Sequence, residues 1–386
     1  MRFEFAAAAR IIFGPGTAGE VAPLAAEMGK SAFVVTGRTA GRAAALLEDL
    51  EKHSVKTTDF SVVCEPTTAI IKAASEKARG AGCDMVIAIG GGSVLDAGKA
   101  VAAMLTNRGD LEDYLEVIGG GRPLARAAAP CIAIPTTAGT GAEVTRNSVI
   151  ASPEHRVKVS IRSASMLPRL AVVDPQLTLS MGPALTAATG LDALTQLVEA
   201  FVSRKANPLT DGICIEGIRA VSRSLRAAFE NGADLAARCD MSLASLFGGF
   251  ALANAGLGAV HGFAGPLGGM TGAAHGAICA AILPHACSAN IEALRARAPD
   301  SPAAAKYIRL ARLLAENPSA AAGDAARHLR DLCRALKAEP LSKLGLRQED
   351  FPAAVEKAKK ASSMKGNPVE LTDAELAAIL DAAWEG

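Results

Sequence analysis

The stretch Met85-Val-Ile-Ala-Ile-Gly-Gly-Gly-Ser93 carries the clearest structural signal in the chain. Its first five residues are apolar without alternation, the pattern of a strand buried on both faces. Three glycines then turn the chain, and a helix is predicted to about Leu105. Strand, glycine turn and helix in that order bring free backbone N–H groups and the positive end of a helix dipole to one point. Glycine there lets a phosphate approach the backbone closely. The turn is read as a diphosphate site, with Gly91, Gly92 and Ser93 as contacts and Asp96 beside them. Ser93 and Asp96 have the spacing of a capping box, which gives Asp96 a structural use with or without a ligand.

Working outward, strands are predicted at Ala32–Thr36, Cys131–Ile134, Val157–Ile161 and Leu170–Val173, and helices over Gly41–Lys52 and Ala69–Arg79. Such alternation implies a mostly parallel sheet covered by helices on both faces. From about Pro183 the apolar residues recur at helical spacing, as in Leu194/Leu197/Val198/Phe201, Ile215/Ile218/Val221/Leu225 and Tyr307/Leu310/Leu314. The expected architecture is an α/β nucleotide-binding domain over 1–180 and an all-helical domain over 181–386.

With 386 residues, each half is long enough to bury a core. A net charge of +1 argues against nucleic-acid or anionic-membrane binding as the main task. The uncharged stretch Met241–Ile291 is interrupted by Asn254, His261, His275 and many glycines, so it reads as buried core or site and not as a membrane span. The N-terminal apolar run is broken by Glu4 and Arg10 and is too short for a signal peptide. A soluble, cytoplasmic protein is expected. Eight scattered cysteines, none in a CxxC pair, read as reduced core residues. Aromatic residues are only 4%, too few for base- or sugar-stacking platforms.

Three other glycine-bearing segments invite a phosphate reading. Gly14-Pro-Gly-Thr-Ala-Gly19 matches GxGxxG, but Pro15 sits inside it and no acidic residue ends a second strand about twenty residues on, so it reads as a tight turn. Gly92–Lys99 resembles a P-loop but has Ser93 at the outer glycine position and Ala100 where a hydroxyl should meet Mg²⁺. Pro135-Thr-Thr-Ala-Gly-Thr-Gly-Ala-Glu-Val-Thr145 follows a strand, at the edge where parallel sheets bind ligands; ordinary turn chemistry explains it equally well.

Histidines 261, 275 and 285 fall in the charge-poor stretch, and Asp192 and Gln196 lie four apart on one predicted helix face. One Asp with two or more His makes a plausible divalent-metal set, though each residue alone suits a core or cap role.

Gly90-Gly-Gly-Ser-x-x-Asp96-x-x-Lys99, the Pro135–Thr145 loop, Asp174-Pro175, Gly190-Leu-Asp192-Ala-Leu-Thr, Asn254-Ala-Gly-Leu-Gly-x-x-His261 and Leu283-Pro-His285 together resemble the iron-containing (group III) alcohol dehydrogenases. The resemblance runs from Ile12-Phe-Gly-Pro-Gly16 to Gly366-Asn-Pro368. It implies NAD(P) and a metal in a cleft between the two domains, and a homodimer. Gly92 and Ser93 would meet the pyrophosphate, and Thr136, Thr137, Thr140, Thr145 and Lys158 would line the cofactor. Asp192, His261 and His275 would hold Fe²⁺ or Zn²⁺ acting as a Lewis acid on a small alcohol or carbonyl substrate during hydride transfer.

Two positions depart from the family. Gln196 stands where the fourth ligand is normally His; its amide oxygen is expected to complete the set as a weak, neutral ligand. Gly265 stands where another His, one turn after His261, serves proton transfer. At the strand ending in Thr36, Gly37 replaces the Asp typical of NAD-preferring relatives and Arg38 follows. This pair favours NADP, because nothing repels a 2′-phosphate and a guanidinium is at hand. Arg146 and Asn147 suit either an anionic substrate or bracing of the threonine loop. The alternatives are a metal-independent, maleylacetate reductase-like C=C reductase and a catalytically idle NADP(H)-binding protein.

Overall fold

The computed structural model describes residues 2–155 and 157–386. They divide into two compact units, 6–137 with 141–178 and 179–386 with 2–5 and 138–140.

In the first unit the order is β1 (Ile11–Phe13), α1 (Val21–Met28), β2 (Ser31–Thr36), α2 (Ala44–Lys52), β3 (Lys56–Ser61), α3 (Thr68–Gly80), β4 (Met85–Gly90), α4 (Gly92–Thr106), β5 (Cys131–Pro135), β6 (Asn147–Ser152), β7 (Val157–Arg162) and β8 (Leu170–Val173). Six strands form one parallel sheet in the order β1-β8-β5-β4-β2-β3. Alternate residues of β2 and β4 enter separate cores: Phe33, Val35, Val86 and Ala88 on one face, Ala32, Val34, Met85 and Ile87 on the other. Both faces are dry, which explains the unbroken apolar runs. From β2 the chain passes to β3 on one side and then to β4 on the other. The strand order therefore reverses between β2 and β4, and the crevice beyond their C-terminal ends is where such sheets hold ligands.

Val157–Ile161 does not join this sheet. It lies in β7, which pairs antiparallel with β6 as a separate hairpin, because the connection from Ser152 to Val157 is far too short for a parallel crossover. The turn Gly14–Gly19 is structural: Gly16 and Ala18 donate their N–H groups to the Asp174 carboxylate at 3.0 and 3.1 Å. A side chain already takes the place an anion would have, and Gly14 and Gly16 supply the positive φ values the turn needs.

The second unit is helical: α5 (Pro183–Val202), α6 (Pro208–Glu230), α7 (Leu235–Ala255), α8 (Ala259–Thr271), α9 (His275–Arg297), α10 (Pro302–Leu314), α11 (Ala322–Ala335), α12 (Phe351–Lys360) and α13 (Asp373–Glu385). Helix α5 is buried along most of its length. It packs closely because a Cβ at Gly190 would collide with Leu225, and one at Gly217 would lie 2.7 Å from Leu197. Helices α7 and α9 are long and apolar enough to cross a membrane by length and composition, but 61% of each such window is buried within the fold. Among the described cysteines Cys64 is exposed, Cys239 is half-buried and six are buried.

Candidate active site

Four potential ligands converge inside the helical unit. Asp192 projects from the middle of α5, His261 from the first turn of α8, and His275 and Cys279 from one face of α9, four residues apart. A turn opened by Gly272 in the left-handed conformation reverses the chain after α8, so that the His261 and His275 rings lie 5.3 Å apart. Asp192 Oδ1 is 3.4 Å from His261 Nε2 and 3.7 Å from His275 Nε2, and Cys279 Sγ is 4.0 Å from His261 Nε2. All four donor atoms lie within 4.8 Å of one another. A tetrahedral ion with bonds of about 2.0–2.3 Å sets its ligand atoms roughly 3.3–3.8 Å apart, so a small contraction suffices. Asp192 Oδ1 is buried without a hydrogen-bond partner among the described residues, which is costly unless a cation completes it. His275 is 37% exposed and marks the open side.

The electrostatics agree. Burial alone would raise Asp192, but His275 and His261 outweigh it and hold its carboxyl below the usual range. Burial would lower His261, but Cys279, Asp192 and Glu199 hold it well above the usual imidazole value. A pocket that favours positive charge on a buried imidazole also favours a divalent cation.

Gln196 is not part of this set. It sits one turn beyond Asp192, as its spacing requires, but its Nε2 donates to the Thr140 carbonyl at 3.3 Å. Its Oε1 lies against Gly248 of α7, 2.7 Å from where a Cβ there would stand. The fourth donor is Cys279, a thiolate-forming ligand and a better one than a neutral amide. Its apolar neighbours make Cys279 look like a core residue in the sequence; the His-x-x-x-Cys spacing on a helix is the signal that singles it out. At Gly265, one turn after His261, an added Cβ would meet nothing within 4 Å.

The nucleotide candidates of the α/β unit gather at the strand-order reversal. Gly37 and Arg38 follow β2, Gly91, Gly92 and Ser93 follow β4, and Thr136 and Thr137 stand at the end of β5, with Thr136 N donating to the Gly90 carbonyl. The capping box is not formed. Gly91 is the N-cap of α4 and no side chain caps it, so Ser93 lies already inside the first turn. Asp96 instead pairs with Lys99 at 2.9 Å and accepts from Val149 N at 3.1 Å. Lys99 is fully buried and also donates to Thr145 Oγ1 at 2.8 Å, which disposes of a P-loop lysine. Arg38 is exposed, with one long contact to the Val63 carbonyl. Lys158, on β7, pairs with Glu65 at 2.6 Å, and Arg146 and Asn147 lead into the hairpin. Thr140 belongs with the helical unit.

A family model described as iron-containing alcohol dehydrogenase matches residues 8–175, and the family's C-terminal model matches residues 186–384. The chain belongs to the iron-containing alcohol dehydrogenase family. Alcohol dehydrogenase 4 of Saccharomyces cerevisiae is 37% identical over 321 residues, 83% of this chain and 81% of that protein. The 1,3-propanediol dehydrogenase of Klebsiella pneumoniae is 38% identical over 78% of this chain and 76% of its own length. Among solved structures, a 1,3-propanediol oxidoreductase superposes with a TM-score of 0.92 at 34% identity, covering 99% of this chain and all of that one. An alcohol dehydrogenase from Oenococcus oeni gives 0.91 at 33%, with the same coverage. As an iron-containing alcohol dehydrogenase, the protein is an NAD(P)-dependent oxidoreductase with a metal site, interconverting a small alcohol and its carbonyl compound by hydride transfer.

Proposed function

We propose that this dehydrogenase works with NADP in preference to NAD and binds Zn²⁺ or Fe²⁺ through Asp192, His261, His275 and Cys279. The observation that carries the reading is the buried four-donor cluster with its unsatisfied Asp192 oxygen. One carboxylate, two imidazoles and a thiol suit a borderline-soft divalent ion. When bound, the ion supplies Lewis acidity and the nicotinamide a site for hydride exchange. The α/β domain, 1–180, would hold the cofactor: backbone N–H groups at Gly91, Gly92 and Ser93 take the diphosphate, while Thr136, Thr137, Thr145 and Lys158 line the rest. Asp96, bonded to Lys99 and to the β6 backbone, would brace this loop. Gly37 leaves room for a 2′-phosphate and Arg38 is free to pair with it. The helical domain, 181–386, would bind the substrate. A homodimer in the cytoplasm is the expected setting.

The test is protein purified anaerobically without chelator, analysed for metal by mass spectrometry and assayed with NADPH and NADH against small aldehydes and ketones. Near-stoichiometric metal, lost in His261→Ala, and faster turnover with NADPH are expected. Full activity after complete metal removal would overturn the metal assignment.

A further inference from the structure

Helix α8 begins without a cap of its own. Gly258 holds the N-cap position and offers no side chain, yet the first N–H groups of the helix are buried and all are taken. Asn367 Oδ1 accepts from Ala259 N at 3.1 Å. Glu199 takes the next two, with Oε1 accepting from Val260 N at 2.6 Å and Oε2 from His261 N at 3.3 Å. The same Oε2 lies 2.7 Å from His261 Nδ1.

Glu199 is only 6% exposed, and its carboxyl oxygens meet these N–H donors at the positive end of α8. A carboxyl group whose two oxygens already accept from backbone N–H groups, with Oε2 2.7 Å from Nδ1, favours the His261 hydrogen on Nδ1. Nε2 then faces Asp192, His275 and Cys279 and is the nitrogen that would bind an ion. Glu199 is also seven residues beyond Asp192, two turns along the same face of α5, so one helix carries a ligand and the anchor of a second ligand. Behind it, Asn367 uses its full capacity. It accepts from Asn290 Nδ2 at 3.2 Å and donates to Asn290 Oδ1 at 2.7 Å and to the Val369 carbonyl at 2.8 Å. The Gly366-Asn-Pro368 stretch thereby pins the α8 N-terminus against which Glu199 acts.

We propose that Glu199 is a positioning residue of the metal centre, fixing the tautomer and ring direction of His261, with Asn367 holding the helix end in register. The inference rests on the metal reading above. Glu199→Gln keeps the shape and an acceptor for the backbone, but places an amide hydrogen opposite Nδ1 and favours the tautomer whose Nε2 cannot bind an ion. Loss of such an outer carboxylate weakens metal binding by about 10- to 100-fold. The measurement is Co²⁺ affinity by competition with a chromogenic chelator, together with the ligand-field spectrum and thermal unfolding. Expected are a cooperative unfolding transition, weaker Co²⁺ binding in that range and an altered spectrum. A folded Glu199→Gln protein with wild-type affinity and spectrum would overturn the proposal. Should that variant not fold, Glu199→Asp, which keeps the charge but shortens the reach, is expected to bind Co²⁺ more weakly; unchanged binding there would overturn it equally. Wild-type protein that takes up no Co²⁺ would instead refute the metal centre itself, and this inference with it.

Discussion

Cys279→Ser separates the four-donor cluster from a set completed by Gln196. The thiol is fully buried and its sulfur stands 4.0 Å from His261 Nε2, so the substitution removes one donor and changes little else in size. Four-ligand structural zinc sites hold the ion with about 10–16 kcal/mol, so one ligand in four contributes roughly 2.5–4 kcal/mol, on the order of 10²–10³ in dissociation constant. Asp192 and both histidines remain, and the exposed side of His275 admits water to the vacated position, which favours the lower end, about 100-fold. The assay is competition for Zn²⁺ or Co²⁺ against a chromogenic chelator, with the thiolate-to-Co²⁺ charge-transfer band as a direct reporter of sulfur ligation. Gln196→Ala, which removes the bond to the Thr140 carbonyl and the packing over Gly248 but no donor of the cluster, should leave affinity within about threefold and the band intact. The reasoning fails if Cys279→Ser keeps wild-type affinity and no band was present, or if Gln196→Ala is the variant that loses the metal.

Gly37→Asp introduces a carboxylate where an NADP 2′-phosphate would lie; a Cβ there meets only Val94, at 3.6 Å, so the fold accepts it. Charged hydrogen bonds of about 1.5–3 kcal/mol are at stake, so the ratio of kcat/KM for NADPH over NADH should fall roughly 10- to 100-fold; an unchanged ratio would refute the cofactor preference. Glu143 is 1% exposed, and burial pushes its carboxyl from 4.5 up to about 7 against the pull of its own backbone N–H and Lys99. Its folded pKa is raised, so its contribution to stability is full below about pH 4.5 and is lost as pH rises through about 7. Glu143→Gln should therefore gain Tm relative to wild type at pH 8 and lose that advantage at pH 5; a parallel Tm difference across that range would refute the assignment.

What the sequence disclosed follows burial. Strand β4 and helix α4 are legible because both faces of the strand are dry and the glycines between them have one geometric use. Strand β3, Lys56-Thr-Thr-Asp-Phe-Ser61, lies at the sheet edge with its residues mostly open to solvent, so its apolar content is too low to mark it. The pairing of β7 depended on β6, whose Asn147-Ser-Val-Ile-Ala-Ser152 is half polar. The capping box failed for a different reason: spacing locates Ser93 relative to Asp96, but Gly91 and not Ser93 ends the turn. At the metal centre, spacing put Gln196 on the face of Asp192 without saying where its amide points. The apolar neighbours of Cys279 concealed a donor that only the fold of α8 against α9 brings into place.

Helix α5 shows the physical root of the misreading at the metal centre. Asp192, Gln196 and Glu199 fall on one side of a helix whose surroundings exclude water, and each buried polar side chain costs several kcal/mol unless a partner meets it. Each takes a separate course: Asp192 enters the donor cluster, Glu199 meets the N-terminus of α8, and Gln196 Nε2 meets the Thr140 carbonyl while its Oε1 lies over α7 without a hydrogen-bond partner among the described residues. The absence of a side chain at Gly248 makes room for that oxygen, as Gly190 does for Leu225 on another side. Had Gln196 turned toward the donor cluster, its bond to the Thr140 carbonyl would have been lost and the space over Gly248 would have lain empty. The i, i+4 relation of two polar residues is thus insufficient to define a ligand set in a fully buried helix, because every side of such a helix faces another element that needs a partner.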